Sequence, residues 1–235
     1  MITGSNLLAI MDPGDRARIE PELQEVELRA GTVIYEPGED VRDSYFPRGA
    51  ALATYVVDLG EGHAIEAAMI GREGALGGVV AWGRMPSYAQ ASVLNGGSFY
   101  RMDNAVLERQ RFDSPTLHRL FSRYTDCFLA QSFQASACNA AHSLEQRAAR
   151  WLSAVLARTD ALEMQLTQDQ LARLLGVGRS YASRVIQRLK REGLVQTRRG
   201  GLTILDRKGL AARCCPCSAM VHAHFRTVLD GVWPD

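Results

Sequence analysis

Three cysteines crowd near one end of this 235-residue chain, Cys214, Cys215 and Cys217, with His222 and His224 just beyond. A C-C-x-C run followed by H-x-H offers thiolates and imidazoles of the kind zinc accepts, or thiols for redox exchange. The spacing is poor for a zinc knuckle, and Pro216 suits the first turn of a short terminal helix. These five side chains therefore rank below packed apolar thiols as metal ligands, and no metal is assigned. Cys127 and Cys138 stand about three helical turns apart and share one face of a helix. On a dimer seam each meets its symmetry mate, which allows a reversible disulfide or a shared cofactor, although small residues in a helix interface are the commoner case. His63 and His118 are the lone histidines a haem would need as axial ligands, and neither has a pattern around it.

A second set of side chains suits nucleic acid rather than metal. It lies in LTQDQLARLLGVGRSYASRVIQRLKREGLVQTRRGGLTILD, residues 166–206. Thr167 is a good N-cap, and Leu171, Leu174 and Leu175 recur at helical spacing behind it. Gly176-Val177-Gly178 breaks that helix. A second helix follows over about 179–191, with Ala182, Val185, Ile186 and Leu189 inward. Its other face carries Arg179, Ser180, Tyr181, Ser183, Arg184, Gln187 and Arg188. Arginine forks onto guanine, glutamine pairs with adenine and serine donates to phosphate or base edges, so this face suits the major groove. Residues 194–197 and 202–205 read as two short strands. Arg198-Arg199-Gly200-Gly201 turns between them, with the arginines at the tip to hold phosphate. The whole is a winged helix-turn-helix.

The elements that position these residues follow from patterning. The apolar fraction, 46%, is ample for a packed core, and the formal net charge is only +1. That balance hides an asymmetry. Residues 1–113 carry 10 basic and 17 acidic side chains, a net −7, whereas residues 166–213 carry 11 and 3, a net +8. One part is built to meet a polyanion and the other is not. No apolar run approaches a membrane span, and the first residues lack the basic start and apolar core of a signal peptide. A cytoplasmic protein with reduced cysteines is the expectation.

Residues 6–10 and 13–23 read as short helices. Apolar runs at 26–28, 32–35, 44–46, 50–59, 63–70, 88–94 and 98–102 then alternate with glycine turns, among them Gly60-Glu61-Gly62, which predicts a small β-sandwich or barrel. Residues 115–142 lack breakers and predict one long helix. A heptad seam along it, Leu117, Leu120, Tyr124, Cys127, Gln131, Gln134, Cys138 and Ala141, is the natural dimer element; it is unusually polar at Gln131 and Gln134, and in the alternative register Phe121, Phe128 and Phe133 pack on the β-region instead. Ser143 caps a further helix to about residue 158. The fold class is α+β, with a β-roll over 1–113, a dimerisation helix over 114–142 and a winged helix-turn-helix domain over 143–235.

This order, with PGE at 37–39, GREGALGG at 71–78, SLEQRAARWL at 143–152 and the helix-turn-helix at 167–191, resembles the CRP/FNR family of bacterial transcription regulators along almost the whole chain. The resemblance implies a cyclic-nucleotide-binding-type β-roll, a homodimer on a palindromic operator, and RNA polymerase as a partner at promoters. In cyclic-AMP-binding members a Gly-Glu pair and a later Arg-Ser or Arg-Thr pair hold the ribose and the phosphate. Here those slots are Gly77-Gly78 and Tyr88-Ala89, with Arg84 nearby but displaced. Both charged partners are gone, so the effector is expected to be some other small molecule or a redox signal. The chain has no cysteine before Cys127, so an N-terminal iron–sulfur cluster is not expected either. The family's frequent Glu-x-x-Ser-Arg in the recognition helix becomes Ser180-Tyr181-Ala182-Ser183-Arg184, which keeps an arginine-read guanine and changes the neighbouring pair.

Two other readings compete. A thiol-, metal- or haem-based sensor can use Cys127 and Cys138 or Cys214, Cys215 and Cys217. A ligand-binding module without DNA binding fits poorly with the +8 segment. An enzyme is not expected: the β-region has a single histidine, too few for a cupin metal centre, and the chain lacks a phosphate-binding glycine loop and a serine elbow.

Overall fold

The computed structural model describes residues 1–60 and 63–234. The Glu61-Gly62 turn and the His63 side chain lie outside the described residues. Two short helices, α1 (Asn6–Ala9) and α2 (Pro13–Ile19), and a 3-10 turn (Glu20–Glu22) precede the β-region. Its strands are β1 (Gln24–Leu28), β2 (Val33–Tyr35), β3 (Asp43–Pro47), β4 (Leu52–Gly60), β5 (His63–Ile70), β6 (Gln90–Asn95) and β7 (Gly97–Asp103). They pair antiparallel into two sheets, ordered β1-β7-β3 and β2-β6-β4-β5. Phe99, Leu76, Ala91, Ala53 and Val93 fill the space between. The glycine-punctuated runs are thus strands of a β-roll, with ends displaced by a residue or two from the sequence reading.

Helix α3 (Asn104–Asp113) follows β7 and was not foreseen. Its start signal is Asp103, whose carboxylate accepts from the amides of Ala105 and Val106, as a good N-cap does. Helix α4 (Pro115–Ala141) is the long helix expected over 115–142. Helix α5 (Leu144–Thr159) begins with a capping box: Gln146 N–H donates to Ser143 Oγ, and Ser143 N–H to Gln146 Oε1.

The dimer seam read on α4 needs correction. Apart from Ala141, which is exposed, its residues face the chain's own core. Leu117, Tyr124 and Cys127 are buried in a cluster with Ile2, Leu7 and Phe46, and Leu120 packs half-buried against it. Tyr124 Oη donates to Ala75 C=O (2.8 Å) and accepts from Ala75 N–H (2.9 Å). Gln131 Nε2 donates to Met69 C=O at 2.9 Å, and Gln134 Nε2 to Cys217 Sγ at 3.2 Å. Cys138 is buried against Cys215 and Cys217. The two glutamines that made the seam unusually polar are the ones tied to β5 and to the tail. Phe121 does pack inward as expected and Phe128 is half-buried, but Phe133 stands 65% exposed. With Ser122, Asp126, Leu129, Ser136 and Ala140 it forms an outward stripe at alternating four- and three-residue spacing.

Beyond α5 come β8 (Glu163–Met164), α6 (Gln168–Leu175), α7 (Arg179–Arg191), β9 (Val195–Arg198), β10 (Gly201–Ile204), α8 (Arg207–Ala212) and α9 (Cys217–Val228). The wing is a three-stranded sheet, β8-β10-β9, one strand more than expected. The tail after Arg213 leaves this domain. Val221, Phe225, Leu229 and Val232 join the cluster of Ile2, Leu7, Phe46 and Phe121, and Asn6 Nδ2 donates to Val232 C=O.

The GREGALGG stretch is where the pieces meet. Arg72 Nη1 donates to Arg158 C=O, and the Arg72 carbonyl accepts from Asn6 N–H. Glu73 and Arg158 form an ion pair of 2.6 Å with both side chains 3% exposed. Gly74 has no room for a side chain, since a Cβ would lie 2.6 Å from Tyr124 Oη.

Candidate nucleic-acid interface

Helix α6 starts on a second capping box. Gln170 N–H donates to Thr167 Oγ1 (3.1 Å) and Thr167 N–H to Gln170 Oε1 (2.8 Å). The hydroxyl of Thr167 is therefore engaged within the helix start. Gly176 ends α6 in the left-handed region, φ 65°, where glycine carries no steric cost. A Cβ there would lie 2.9 Å from Ile65 Cδ1, so the turn of the helix-turn-helix is also a close contact with β5.

Helix α7 runs over the residues expected. Ala182, Val185, Ile186 and Leu189 are buried, and burying each larger one contributes about 1.5–3 kcal/mol. Arg179, Ser180, Tyr181, Arg184, Gln187 and Arg188 are exposed and Ser183 is half-buried. The outward side chains are not equally free. Arg179 Nε is 3.2 Å from Asp169. Arg184 lies with its guanidinium carbon 4.2 Å from the Tyr181 ring centre, a stacking that holds the fork in one orientation. Arg188 reaches back to Glu145 on α5 (2.6 Å) and to Glu192 (3.4 Å), and these carboxylates raise its pKa. Of the wing arginines, Arg198 pairs with Glu163 on β8, whereas Arg199 is exposed at the turn and has no carboxylate partner among the described residues. The least committed donors are thus Ser180, Ser183, Arg184, Gln187 and Arg199. Lys190 and Arg191 extend the exposed basic surface.

The five residues read as an effector slot do not converge. Gly77 has φ +102°, its N–H donates to Tyr55 Oη, and a Cβ would lie 2.5 Å from Asp43 C=O. Gly78 lies against Asn104. Arg84 turns outward to Asp40 at 2.7 Å with its side chain 80% exposed. Tyr88 is 86% exposed, while Ala89 is buried. A cleft of about 400 Å³ does exist elsewhere, between Thr54, Gln90 and Ser92 of the β-roll and Gln170 and Arg173 of α6.

The sequence-read ligand set also divides. His222 stacks on Trp233, His224 lies 2.9 Å from Asp126, and Cys214 is held by Ser153 Oγ. Cys215 and Cys217 come together, but with Cys138 and His142. His142 was missed; the signal was its spacing of four from Cys138, one helical turn. Cys127 is buried in its own chain, which pushes its thiol up to about 12 and leaves it unsuited to redox exchange. His118 is exposed.

Residues 146–213 match the family model of the Crp-like helix-turn-helix domain. No curated protein matches the sequence. Among solved structures, the chain is similar to a putative CRP/FNR-family transcriptional regulator from Eubacterium rectale (18% identity, TM-score 0.69, covering 88% of this chain and 96% of that one). It is also similar to FixK2 from Bradyrhizobium japonicum (18% identity, TM-score 0.67, 82% and 98%). A third is a CRP/FNR-family regulator from Thermus thermophilus (23% identity, TM-score 0.64, 81% and 97%). The β-roll, long helix and winged domain described above are the architecture these structures share, and within that fold residues 146–213 form a Crp-like helix-turn-helix domain.

Proposed function

We propose that this protein binds a two-fold symmetric DNA operator as a homodimer and regulates the adjacent promoter in the cytoplasm, in contact with RNA polymerase. The observation that carries the reading is α7. One side of it is completely buried, and the opposite side presents Ser180, Ser183, Arg184 and Gln187, all donors to base edges or phosphate. Arg179, Arg188 and Arg198 leave their carboxylates for phosphate on docking, and Arg199 on the wing holds backbone. No described helix is long and apolar enough to cross a membrane.

The dimer forms through the outward stripe of α4 centred on Leu129 and Phe133, which are 48% and 65% exposed. Phe133→Asp is expected to give a monomer by sedimentation; a variant that stays dimeric would move the interface elsewhere. The effector in this reading is something other than a cyclic nucleotide held at 77–89, since Arg84 turns outward to Asp40 and Tyr88 is exposed. The role is regulatory rather than catalytic.

The direct test is selection of the purified protein on random duplexes at two salt concentrations. Enrichment of a palindrome with half-sites about one helical turn apart is expected. Sequence-independent retention that vanishes with salt would leave only backbone attraction and defeat the operator reading.

A further inference from the structure

Four side chains from distant parts of the chain meet where α4 ends. Cys138 and His142 lie one turn apart, His142 being the residue that caps the helix. Cys215 and Cys217 come from the tail on either side of Pro216. Cys138 Sγ is 3.5 Å from Cys215 Sγ, and His142 Nδ1 is 3.5 Å from Cys217 Sγ. All four ligand atoms lie within 4.8 Å of one another, with the three thiols buried and the imidazole half-buried.

We propose that these residues form a Cys3His site for a thiophilic divalent cation, with zinc the ion that best fits the donor set. A tetrahedral zinc with sulfur at about 2.3 Å and nitrogen at about 2.0–2.1 Å has ligand–ligand edges of roughly 3.6–3.8 Å. The observed separations need only small side-chain shifts to reach that shape. Packing for its own sake accounts for buried thiols but not for an imidazole nitrogen aimed among them. The surroundings also suit the charge. Three thiolates, one neutral imidazole and a divalent cation sum to −1. Arg147 and Arg150, early on α5, line one cavity with Gln134 and Asn139 of α4. Each has a buried Nε without a hydrogen-bond partner and no carboxylate paired with it among the described residues. Gln134 Nε2 donates to Cys217 Sγ at 3.2 Å, an outer hydrogen bond of the kind that orients a ligand. On loading, the ion exchanges its waters for three thiolates and one imidazole, and three thiol protons leave to solvent. The ion pins the tail to the joint between α4 and α5, the joint that carries the helix-turn-helix.

The test is metal analysis of the full chain purified with reductant, dialysed and reloaded with Zn²⁺ alone. One equivalent of zinc per chain is expected. Cys138→Ser and Cys215→Ser are expected to lower retained zinc at least tenfold. Cys127→Ser and Cys214→Ser, the cysteines outside the cluster, are expected to retain it. Co²⁺ loading of wild type should give tetrahedral visible bands with thiolate charge transfer, and His142→Cys should keep metal while shifting those bands, which covers the case in which a serine variant fails to fold. A reduced, folded wild type that holds no zinc or cobalt overturns the site, as does a Cys138–Cys215 disulfide found in place of metal. Equal loss in Cys127→Ser overturns the ligand assignment. None of these readouts involves DNA, so their failure leaves the operator reading untouched.

Discussion

Arginine serves two opposite purposes in this molecule. At the junction of β-roll and α5, Arg158 is 3% exposed, paired with Glu73 at 2.6 Å, and lies with its guanidinium 4.7 Å from the Trp233 ring centre. Arg111 is also buried and donates to Ala81 C=O. On α7 and the wing, Arg184 and Arg199 point to solvent, and Arg179, Arg188 and Arg198 are held only by exposed carboxylates. Exposed ion pairs of this kind contribute about 0–1 kcal/mol and exchange readily for phosphate. A buried pair is different: its charges left water at a cost, and losing one partner strands the other. The same residue type therefore holds the fold together in one region and remains available to a polyanion in the other.

Substitutions can break or sharpen that contrast. Arg158→Met leaves Glu73 buried without its partner and is expected to lose about 3–5 kcal/mol in urea unfolding, with the Arg158→Met/Glu73→Met double variant recovering most of it. A small loss in the single variant would place Arg158 with the expendable pairs. Arg184→Ala is expected to leave unfolding unchanged while weakening operator binding by about 1–3 kcal/mol and relaxing the choice at one base pair. Unchanged selectivity would mean that another side chain reads that position. Thr167→Ala tests a residue that faces outward but works inward. Loss of its cap should cost about 1 kcal/mol of stability, with base preference retained in the folded fraction. The smallest effect is expected for Arg199→Ala, which should weaken all duplexes alike and lower the salt slope by about one; a loss confined to one sequence would contradict a backbone role.

The helix-turn-helix was legible because its signals are local. The cap at Thr167, the glycine at 176 and the four-residue inward stripe of α7 all act within a turn or two of chain. The heptad on α4 was legible as a seam but not as to what covers it, since periodicity reports which side is buried and never by what. Gln131 and Gln134 carried the missing information: a polar group on a buried stripe needs a partner, and theirs are Met69 C=O and Cys217 Sγ. The Cys138–Cys215 approach spans 77 residues and leaves no trace in spacing. At Gly77-Gly78 the sequence showed lost charges. The structure adds a reason for glycine, a φ of +102° beside the Asp43 carbonyl.

The return of the tail to α1 bears on the order in which the chain matures during synthesis. Ile2, Leu7 and Phe46 emerge from the ribosome early, yet the apolar surface they share is closed by Val221, Phe225 and Val232, and Asn6 waits for the carbonyl of Val232. Closing so long a loop is slow relative to local helix formation. The apolar cluster of the helix-turn-helix, with Trp151, Leu152, Val185, Ile186 and Ile204 in it, contains none of those late residues. The apolar surface of Ile2, Leu7 and Phe46 therefore stays open until residues 221–232 have been made, and an open apolar surface on a nascent chain is prone to aggregation.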